Sequence, residues 1–336
     1  MSQSLSPGPK VVSVVVPIYN EEGNVSVFVQ RLAGVFQGLG VDWELVFALD
    51  PCFDGTREKV LEMIRSGYPI RLITFSRRIG KPLSLLAGLD HALGDVCVVM
   101  DADLQDPPEL IGEMLEKWRE GFKVVLAQRK SRKGENFLYL KAAQLFYRIH
   151  DCFSEVKIPK NTGDFRLLDA RVVKALRNIR ERHGFLRGMT ASVGFSTAVV
   201  PFDRDPRFKG RTQIPFSGAV NIALDGLVPF SRTPVRMIFV FGAAVSVLTA
   251  VGFAIWLLWG CGWGFHEHWP LVLLGFCSLA LSGITLTGLG IIGEYLVRAY
   301  EEARVRPLYV VDEIAEADSL VRRLAHNPDE RERHRQ

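Results

Sequence analysis

The chain has 336 residues, a formal net charge of +4 and 48% hydrophobic residues. This length accommodates one large domain with appendages, or two domains. Because 41 Lys and Arg residues nearly balance 37 Asp and Glu residues, the charge gives no reason to expect a nucleic-acid partner. The five cysteines show no metal-binding or redox spacing, so we predict free thiols in a reducing compartment.

The first part of the chain, to about Ala127, alternates strand and helix patterns. Apolar runs bounded by polar residues predict strands at Val11–Ile18, Trp43–Leu49, Leu72–Phe75, Val96–Met100 and Val124–Ala127. Between them the pattern predicts helices that begin after Asn20 as an N-cap, after Gly55, at Lys81 and at Pro108. This order predicts an α/β fold with a mostly parallel sheet covered by helices.

Polar clusters follow three of the predicted strands. They are Tyr19 to Glu22, Asp50 to Thr56 and Asp101 to Glu109. In open α/β sheets, ligands bind outside the carboxyl ends of the strands, which meet at one edge. We therefore expect the three clusters to form a single site.

Asp101 and Asp103 lie two residues apart, directly after the strand Val96–Met100. Mg²⁺ and Mn²⁺ prefer oxygen ligands, and Mg²⁺ sites often combine one or two carboxylates with substrate phosphates. We therefore predict a divalent cation here, which would offset the charge of a departing diphosphate. The alternative is a cap for a helix at Pro108, which accounts for Asp106 but leaves the other two carboxylates unexplained.

From Gln128 to Phe216 the pattern of apolar and polar residues is less regular and the composition is more basic. An apolar face then predicts a helix in a membrane interface, formed by Val220, Leu224, Leu227 and Val228. Two later runs, Met237–Trp259 and Leu271–Gly293, contain no Asp, Glu, Lys or Arg. Each exceeds the roughly 20 apolar residues that cross a bilayer core as a helix. We predict two transmembrane helices, with two buried core helices as the alternative.

Flanking charges predict the orientation of these runs. Arg232 and Arg236 precede the first, Arg298 and Arg304 follow the second, and the linker between them has no Lys or Arg. The positive-inside rule therefore places both termini and the N-terminal domain in the cytoplasm, at the inner membrane if the source is bacterial. The predicted segments are a flexible N-terminus (1–10), an α/β domain (11–216), a juxtamembrane amphipathic segment (217–236), helix one (237–259), an exterior linker (260–270), helix two (271–293) and a cytoplasmic C-terminal tail (294–336).

Three segments together resemble the family 2 glycosyltransferases, which have the GT-A fold. They are Val16 to Glu22, Asp101 to Glu109 and Gly163 to Leu167. The chain is similar to the polyprenyl-phosphate branch, which includes dolichol-phosphate mannose synthase and the bactoprenol glucosyltransferases; Arg129 to Glu135 and Arg187-Gly188 also fit that branch. The resemblance implies an inverting transfer of a sugar from a nucleotide diphosphate sugar to polyprenyl phosphate in a lipid bilayer, with Mg²⁺ or Mn²⁺ as cofactor. It also suggests a homotetramer.

The resemblance implies a role for each matching residue. Pro17, Tyr19, Glu21, Asp50, Asp101 and Gln105 are assigned to the nucleotide sugar, Asp101 and Asp103 to the metal, Asp103, Asp164 and Arg166 to catalysis, and Arg129, Arg132, Arg207, Lys209 and Arg211 to the acceptor phosphate. Asp164 occupies the position of the catalytic base. An acceptor phosphate has a second pKa of about 6 and needs little help in losing a proton, so the alternative is that Asp164 orients the donor sugar or holds Arg166. For the basic residues, the alternative is attraction of anionic lipid heads.

Two stretches depart from the family pattern. Family members carry a double Asp followed by Gly-Ser after the second strand, whereas Leu49 to Thr56 reads Leu-Asp-Pro-Cys-Phe-Asp-Gly-Thr. The nucleotide base is therefore open, with UDP expected first and GDP second. The juxtamembrane loop, which usually ends in Ser/Thr-Lys-Tyr, reads Thr212-Gln213-Ile214, and Arg211 is the expected substitute for the missing Lys.

Other classes of protein fit the sequence less well. No Gly-x-Gly-x-x-Gly follows the first strand, and Gly80-Lys81 is followed by Pro82, which argues against a nicotinamide-binding site and a phosphate loop. A processive polysaccharide synthase stays an alternative, although its Gln-x-x-Arg-Trp motif is missing. A non-catalytic scaffold that binds nucleotide sugars is the other alternative.

Overall fold

A computed structural model describes most of the N-terminal part of the chain, one long helix and the segment that follows it. The described residues are 8–130, 159, 161–179, 186–203, 244–245, 247–248, 251–252, 269–304 and 306–320. The chain divides into two compact units. The first comprises Met1–Gln144, Val156–Val220 and Arg306–Gln336, and the second comprises Leu145–Glu155 and Asn221–Val305.

The first unit is built on an eight-stranded sheet. In chain order its strands are β1 (Val11–Ile18), β2 (Asp42–Leu49), β3 (Ile70–Phe75), β4 (Val96–Val99), β5 (Val124–Arg129), β6 (Thr162–Asp169), β7 (Thr197–Phe202) and β8 (Val311–Glu316). Across the sheet the order is β7-β5-β6-β4-β1-β2-β3-β8. The pairs β1–β2, β1–β4, β2–β3 and β5–β7 are parallel, whereas β6 and β8 run antiparallel to their neighbours. The predicted α/β fold with a mostly parallel sheet is confirmed.

The helices of this unit lie between the strands in sequence. They are α1 (Glu22–Leu39), α2 (Thr56–Arg65), α3 (Lys81–His91), a short 3₁₀ helix (Pro108–Leu110), α4 (Ile111–Arg119), α5 (Ala170–Asn178) and α6 (Leu186–Ser192). The N-cap position of the 3₁₀ helix is occupied by Pro107 and not by Asp106, the alternative that the sequence offered. Asp106 is buried instead.

Helix α1 forms because its apolar residues recur at helical spacing and pack into the core. Val25, Phe28 and Leu32 are fully buried on this face. The helix ends at Gly40, whose φ of 62° suits glycine and lets its N–H donate to the carbonyl of Phe36 at 3.0 Å. The predicted N-cap was wrong: Asn20 has a φ of 55°, and its side chain accepts a hydrogen bond from the Phe53 N–H instead.

Helix α3 packs closely against β1 and is held at its carboxyl end by an arginine of α5. Gly88 lies so close to β1 that an added Cβ would overlap the Val15 side chain. At the carboxyl end of the helix, the Arg177 guanidinium donates to the carbonyls of Leu89 and Ala92, in both cases at 2.7 Å. These contacts fix the backbone of the helix that begins with Lys81.

Three strands were not predicted from the sequence. β6 and β7 fall in the loose, basic stretch, and β8 falls in the segment assigned to the C-terminal tail. β8 is an antiparallel edge strand on β3, and it is held there by Glu316, whose carboxylate accepts from Arg71 Nε at 2.6 Å. Its sequence, Val-Asp-Glu-Ile-Ala-Glu, is charged as edge strands often are, so no apolar run marked it.

The second unit contains the helix α7 (Trp269–Ala303). The predicted span Leu271–Gly293 lies inside this helix. Among the described residues, no helix combines the length and the apolar character needed to cross a membrane. The interfacial segment 217–236 and most of the predicted span 237–259 lie outside the described residues, and both spans stay predictions.

Candidate active site

The predicted clusters lie at the carboxyl edge of the parallel strands. β1 and β2 are in register, with Ile18 opposite Leu49, and β4 ends beside β1, with Val99 opposite Val15. The loops that follow these strands therefore leave the sheet at the same edge. This edge is where open α/β sheets bind ligands.

Asp50 organises the loop that precedes α3. Its carboxylate is buried and accepts the N–H of Ile79 at 3.0 Å and the N–H of Gly80 at 2.9 Å. Gly80 has a φ of 84°, a conformation that L side chains rarely adopt. Asp50 thus links the end of β2 to the start of α3, and its assigned contact with the nucleotide stays a prediction.

The loop after β2, which departs from the family pattern, is hydrogen-bonded to the loop after β1. Asn20 Oδ1 accepts from the Phe53 N–H at 3.0 Å, and the Glu21 N–H donates to Thr56 Oγ1 at 2.9 Å. Tyr19 stacks under the guanidinium of Arg78, 3.9 Å from the ring centroid. Pro17, which is half-buried, lies one residue before the end of β1. The residues assigned to the nucleotide therefore lie at the end of β1 and on loops with defined hydrogen bonds.

The loop after β4 carries the predicted metal ligands. Asp103 is 6% exposed, and its Oδ1 accepts the N–H of Gln105 at 3.2 Å. Leu104 between them has a φ of 62°, a strained backbone for a bulky residue of the kind that clusters at functional sites. A bidentate ion pair between Arg31 and Glu109, with two contacts of 2.8 Å, holds the end of this loop to α1.

Lys81 joins the loop after β4 to β6. Its ammonium lies 2.7 Å from Asp101 Oδ1, 2.8 Å from Asp101 Oδ2 and 3.0 Å from Asp164 Oδ2. Arg187, on α6, donates from Nε to Asp164 Oδ1 at 2.9 Å. Asp101, Lys81, Asp164 and Arg187 thus form a chain of alternating charges across the edge of the sheet.

The flanking cations set the protonation state of Asp164. Burial by itself would raise the pKa of Asp164, but the charges of Arg187 and Lys81 hold that pKa well below its usual range. For Lys81, partial desolvation opposes the positive charge, but the carboxylates of Asp101 and Asp164 outweigh it and raise the pKa of the ammonium. Both groups are therefore charged at neutral pH, and Asp164 is a weak base.

Arg166 occupies the interior of the domain. It is 1% exposed and donates to the Gly163 carbonyl at 2.7 Å and to Thr190 Oγ1 at 3.1 Å. It contacts Asp164 through the backbone carbonyl at 3.2 Å, and the Asp164 carboxylate pairs with Lys81 and Arg187. Burial lowers the pKa of Arg166 to about 10, so it stays charged at neutral pH. Its assigned role in catalysis stays a prediction.

The oxygen ligands available at the site fit a divalent cation that binds together with a phosphate. Among the described residues, no three His, Cys, Asp or Glu side chains cluster in a way that would hold a metal alone. Mg²⁺, however, is usually bound through one or two carboxylates and completes its shell with water and substrate phosphates. Asp101 and Asp103, with the amide oxygen of Gln105 nearby in sequence, match that smaller requirement.

The acceptor-phosphate residues are described in part. Arg129 ends β5 and lies beside β6, where a Cβ added to Gly163 would be 3.4 Å from its Nη2. This places a guanidinium next to the residue that precedes Asp164. The other assigned residues, Arg132, Arg207, Lys209 and Arg211, lie outside the described residues.

Sequence reasoning missed two residues of the site, Lys81 and Arg187. The sequence identifies Arg187 only as part of the Arg187-Gly188 motif, and Lys81 only as the start of a helix and as a mismatch to a phosphate loop. One sequence signal was available for Lys81: it starts a helix whose first turn has no acidic residue. A cation at the N-terminus of a helix is unfavourable in the field of the helix dipole. A lysine at this position therefore indicates a stabilising contact with another part of the chain.

Comparison with known proteins identifies the family to which the chain is similar. Residues 13–177 match the model of the glycosyl transferase family 2. An uncharacterized glycosyltransferase of Synechocystis sp. is 40% identical over 303 residues, which cover 90% of this chain and 95% of that protein. A prophage bactoprenol glucosyl transferase homolog of Escherichia coli is 34% identical, covering 90% and 99% of the two chains. A bactoprenol glucosyl transferase of Shigella phage SfV is 36% identical, covering 89% and 97%.

Proposed function

The chain belongs to the family 2 glycosyltransferases, and on that premise we propose that it transfers a sugar from a nucleotide diphosphate sugar to polyprenyl phosphate. UDP is the favoured nucleotide and GDP the second. The transfer inverts the anomeric carbon and uses Mg²⁺ or Mn²⁺. The product is a polyprenyl-phospho-sugar, a lipid-linked donor for later glycan assembly.

The observation that carries the proposal is the chain of charges from Asp101 through Lys81 to Asp164 at the carboxyl edge of the sheet. It brings the loop of the predicted metal ligands to the residue at the catalytic position, although Asp101 and Asp164 are far apart in sequence. Relatives named bactoprenol glucosyl transferase, which share 34–36% identity over about nine-tenths of this chain, support a polyprenyl phosphate as the acceptor.

The chemistry divides between the acceptor and the protein. A phosphate oxygen of the acceptor forms a bond to the anomeric carbon, and the bond from that carbon to the diphosphate oxygen breaks, with its electron pair leaving on the nucleoside diphosphate. Because the acceptor phosphate is largely a dianion at neutral pH, it needs no strong base. Asp164, fixed by Lys81 and Arg187, instead orients the donor sugar. A bound divalent cation supplies charge neutralisation of the departing diphosphate.

The membrane belongs to the same proposal. A polyprenyl phosphate keeps its head group at a bilayer surface, so an enzyme anchored there would share that surface with its substrate. The two charge-free runs, Met237–Trp259 and Leu271–Gly293, are the proposed anchor, with the catalytic domain and both termini cytoplasmic. A homotetramer is the proposed assembly.

A transfer assay with the purified full-length chain tests the reaction class. The protein, in detergent, is mixed with Mn²⁺ or Mg²⁺, undecaprenyl phosphate and a panel of labelled UDP- and GDP-sugars. We expect label to enter the lipid phase from one donor, and only when the acceptor is present. Label in a water-soluble polymer would favour a processive synthase. Donor binding without any transfer would favour the scaffold.

Asp103→Asn tests the proposed metal site. Loss of this carboxylate should lower turnover on the order of 10³-fold, because a metal contributes several kcal/mol of transition-state stabilisation. Asp42→Asn, at the exposed amino end of β2 and therefore at the opposite edge of the sheet, is the matched control and should retain activity. Full metal-dependent activity in a folded Asp103→Asn protein would remove the metal role.

A further inference from the structure

We propose that Lys81 is an internal counterion that yields Asp101 to the divalent cation when the donor binds. In the donor-free enzyme its ammonium pairs with the carboxylates of both Asp101 and Asp164. In the loaded enzyme it gives up Asp101 and stays with Asp164. The inference rests on the proposed divalent-cation site and adds a residue that controls when this site is available.

The first support is the set of oxygens that Lys81 occupies. Both carboxylate oxygens of Asp101 lie within 2.8 Å of the ammonium. A carboxylate oxygen that binds Mg²⁺ does so at about 2.0–2.1 Å. A positive unit charge a few ångströms from a divalent cation repels that cation strongly, even at a partly exposed site. An ammonium bridging both oxygens and a cation on the same carboxylate therefore exclude each other.

The second support is that Lys81 has a second carboxylate partner, Asp164. Asp164 Oδ2 lies 3.0 Å from the ammonium on the side of β6. Asp164 is in turn held by Arg187 through its other oxygen at 2.9 Å, so its position does not depend on Lys81 alone. Lys81 therefore leaves Asp101 without leaving the site.

The third support is that only the side chain has to move. Asp50 fixes the backbone before Lys81 through the N–H groups of Ile79 and Gly80, and Arg177 fixes the far end of α3. The Lys81 side chain is 42% exposed and has a flexible four-carbon stem. The exchange is thus a change of side-chain position on a rigid helix.

The consequence is an ordered loading of the site. Without donor, the cation competes with an ammonium that is already in place, and its affinity for the enzyme is low. The diphosphate of the donor adds negative charge and further oxygen ligands, which shift this competition in favour of the cation. Lys81 thereby couples cation binding to donor binding.

Binding of Mn²⁺ to the full-length protein without donor, followed by the electron paramagnetic resonance signal of free Mn²⁺, tests this inference. Lys81→Met should bind Mn²⁺ about tenfold more tightly than the wild type, as expected when one like charge is removed a few ångströms from a partly exposed site. Lys81→Arg keeps the charge and should bind like the wild type. Lys117→Met is the matched control. The Lys117 ammonium is exposed and lies 2.9 Å from Glu120 at the end of α4, so its removal should change the Mn²⁺ affinity less than twofold.

The outcomes separate this inference from the proposed function. Tighter binding in Lys81→Met that disappears when Asp101→Asn is added supports the inference and locates the cation. Equal affinity in Lys81→Met and wild type, with binding still dependent on Asp101, overturns the inference and leaves the metal site standing. No Mn²⁺ binding to Lys81→Met without donor overturns the inference, and lipid-linked transfer that chelator abolishes would then leave both the metal site and the transferase reaction standing.

Discussion

Asp164 lies between two cations, Lys81 at 3.0 Å and Arg187 at 2.9 Å. Because these charges hold its pKa well below the usual range, the carboxylate is already ionised above the unfolded value of about 3.9. Its contribution to stability is therefore fully present at neutral pH and is lost only as the pH falls through the depressed folded pKa. Asp164 does not titrate where the enzyme works.

The pH dependence of transfer distinguishes an orienting Asp164 from a catalytic base. We expect an acid limb near pH 6, which belongs to the second ionisation of the acceptor phosphate. Asp164→Asn should lower kcat/KM by roughly 100-fold through misplacement of the donor and should keep this limb at the same pH. The measurement is kcat/KM between pH 5 and 9 for both proteins. Disappearance of the acid limb in the variant would make Asp164 the base.

The two missed residues show what the sequence leaves out at this scale. The carboxylates were predictable because Asp101 and Asp103 directly follow an apolar strand. Lys81 and Arg187 were not, because their contacts with Asp164 join separate elements that only the folded chain brings together. An ion pair between distant positions has no local pattern, so its partners are identified only once the strand order is known.

At the scale of elements, α3 is the helix on which the site depends. Its close contact with β1 requires glycine at position 88, because an added Cβ would overlap Val15. The first five strands were predictable as apolar runs, since central parallel strands are buried on both faces. β6 mixes Asp and Arg with its apolar residues, and β8 is a charged edge strand, so pairing with neighbours rather than local sequence defines both.

Gly88→Ala tests the packing of α3. Forcing a methyl group into this contact should reduce the free energy of unfolding by about 1–3 kcal/mol, as overpacking of a core does. Gly34→Ala is the matched control, since that glycine lies on an exposed face of α1 with nothing within 4 Å of the added Cβ. It should stabilise the protein by up to about 1 kcal/mol. Urea unfolding monitored by circular dichroism measures both, and equal effects would contradict the close contact.

At the scale of the whole molecule, the chain after α7 contributes to the catalytic domain. β8 completes the sheet beside β3, and Tyr309 donates to Asp90 Oδ2 of α3 at 2.7 Å. The buried guanidinium of Arg71 lies 2.6 Å from Glu316 and 3.6 Å from Glu44. The C-terminal segment is therefore part of the domain that carries the site.

Two ion pairs to β8 differ in burial and should differ in energy. Arg71→Met removes a fully buried guanidinium and leaves the carboxylate of Glu44, which is 1% exposed, without its cationic partner. We expect a loss of about 3–5 kcal/mol. Arg57→Met breaks the ion pair between Arg57 and Glu313, whose side chains are 42% and 53% exposed, respectively. It should reduce the free energy of unfolding by less than about 1 kcal/mol. Chemical unfolding of both variants checks the contrast; a similar loss in each would contradict the structural role given to Arg71.

In the proposed reaction the enzyme transfers the sugar alone and releases the whole nucleoside diphosphate. The most direct measurement is to identify the released nucleotide and the lipid product together, by chromatography and mass spectrometry, after reaction of the wild type with its donor and undecaprenyl phosphate. We predict equal amounts of nucleoside diphosphate and of a lipid that carries one phosphate and one sugar. Release of nucleoside monophosphate, with a sugar joined to the lipid through a diphosphate, would contradict the proposed reaction.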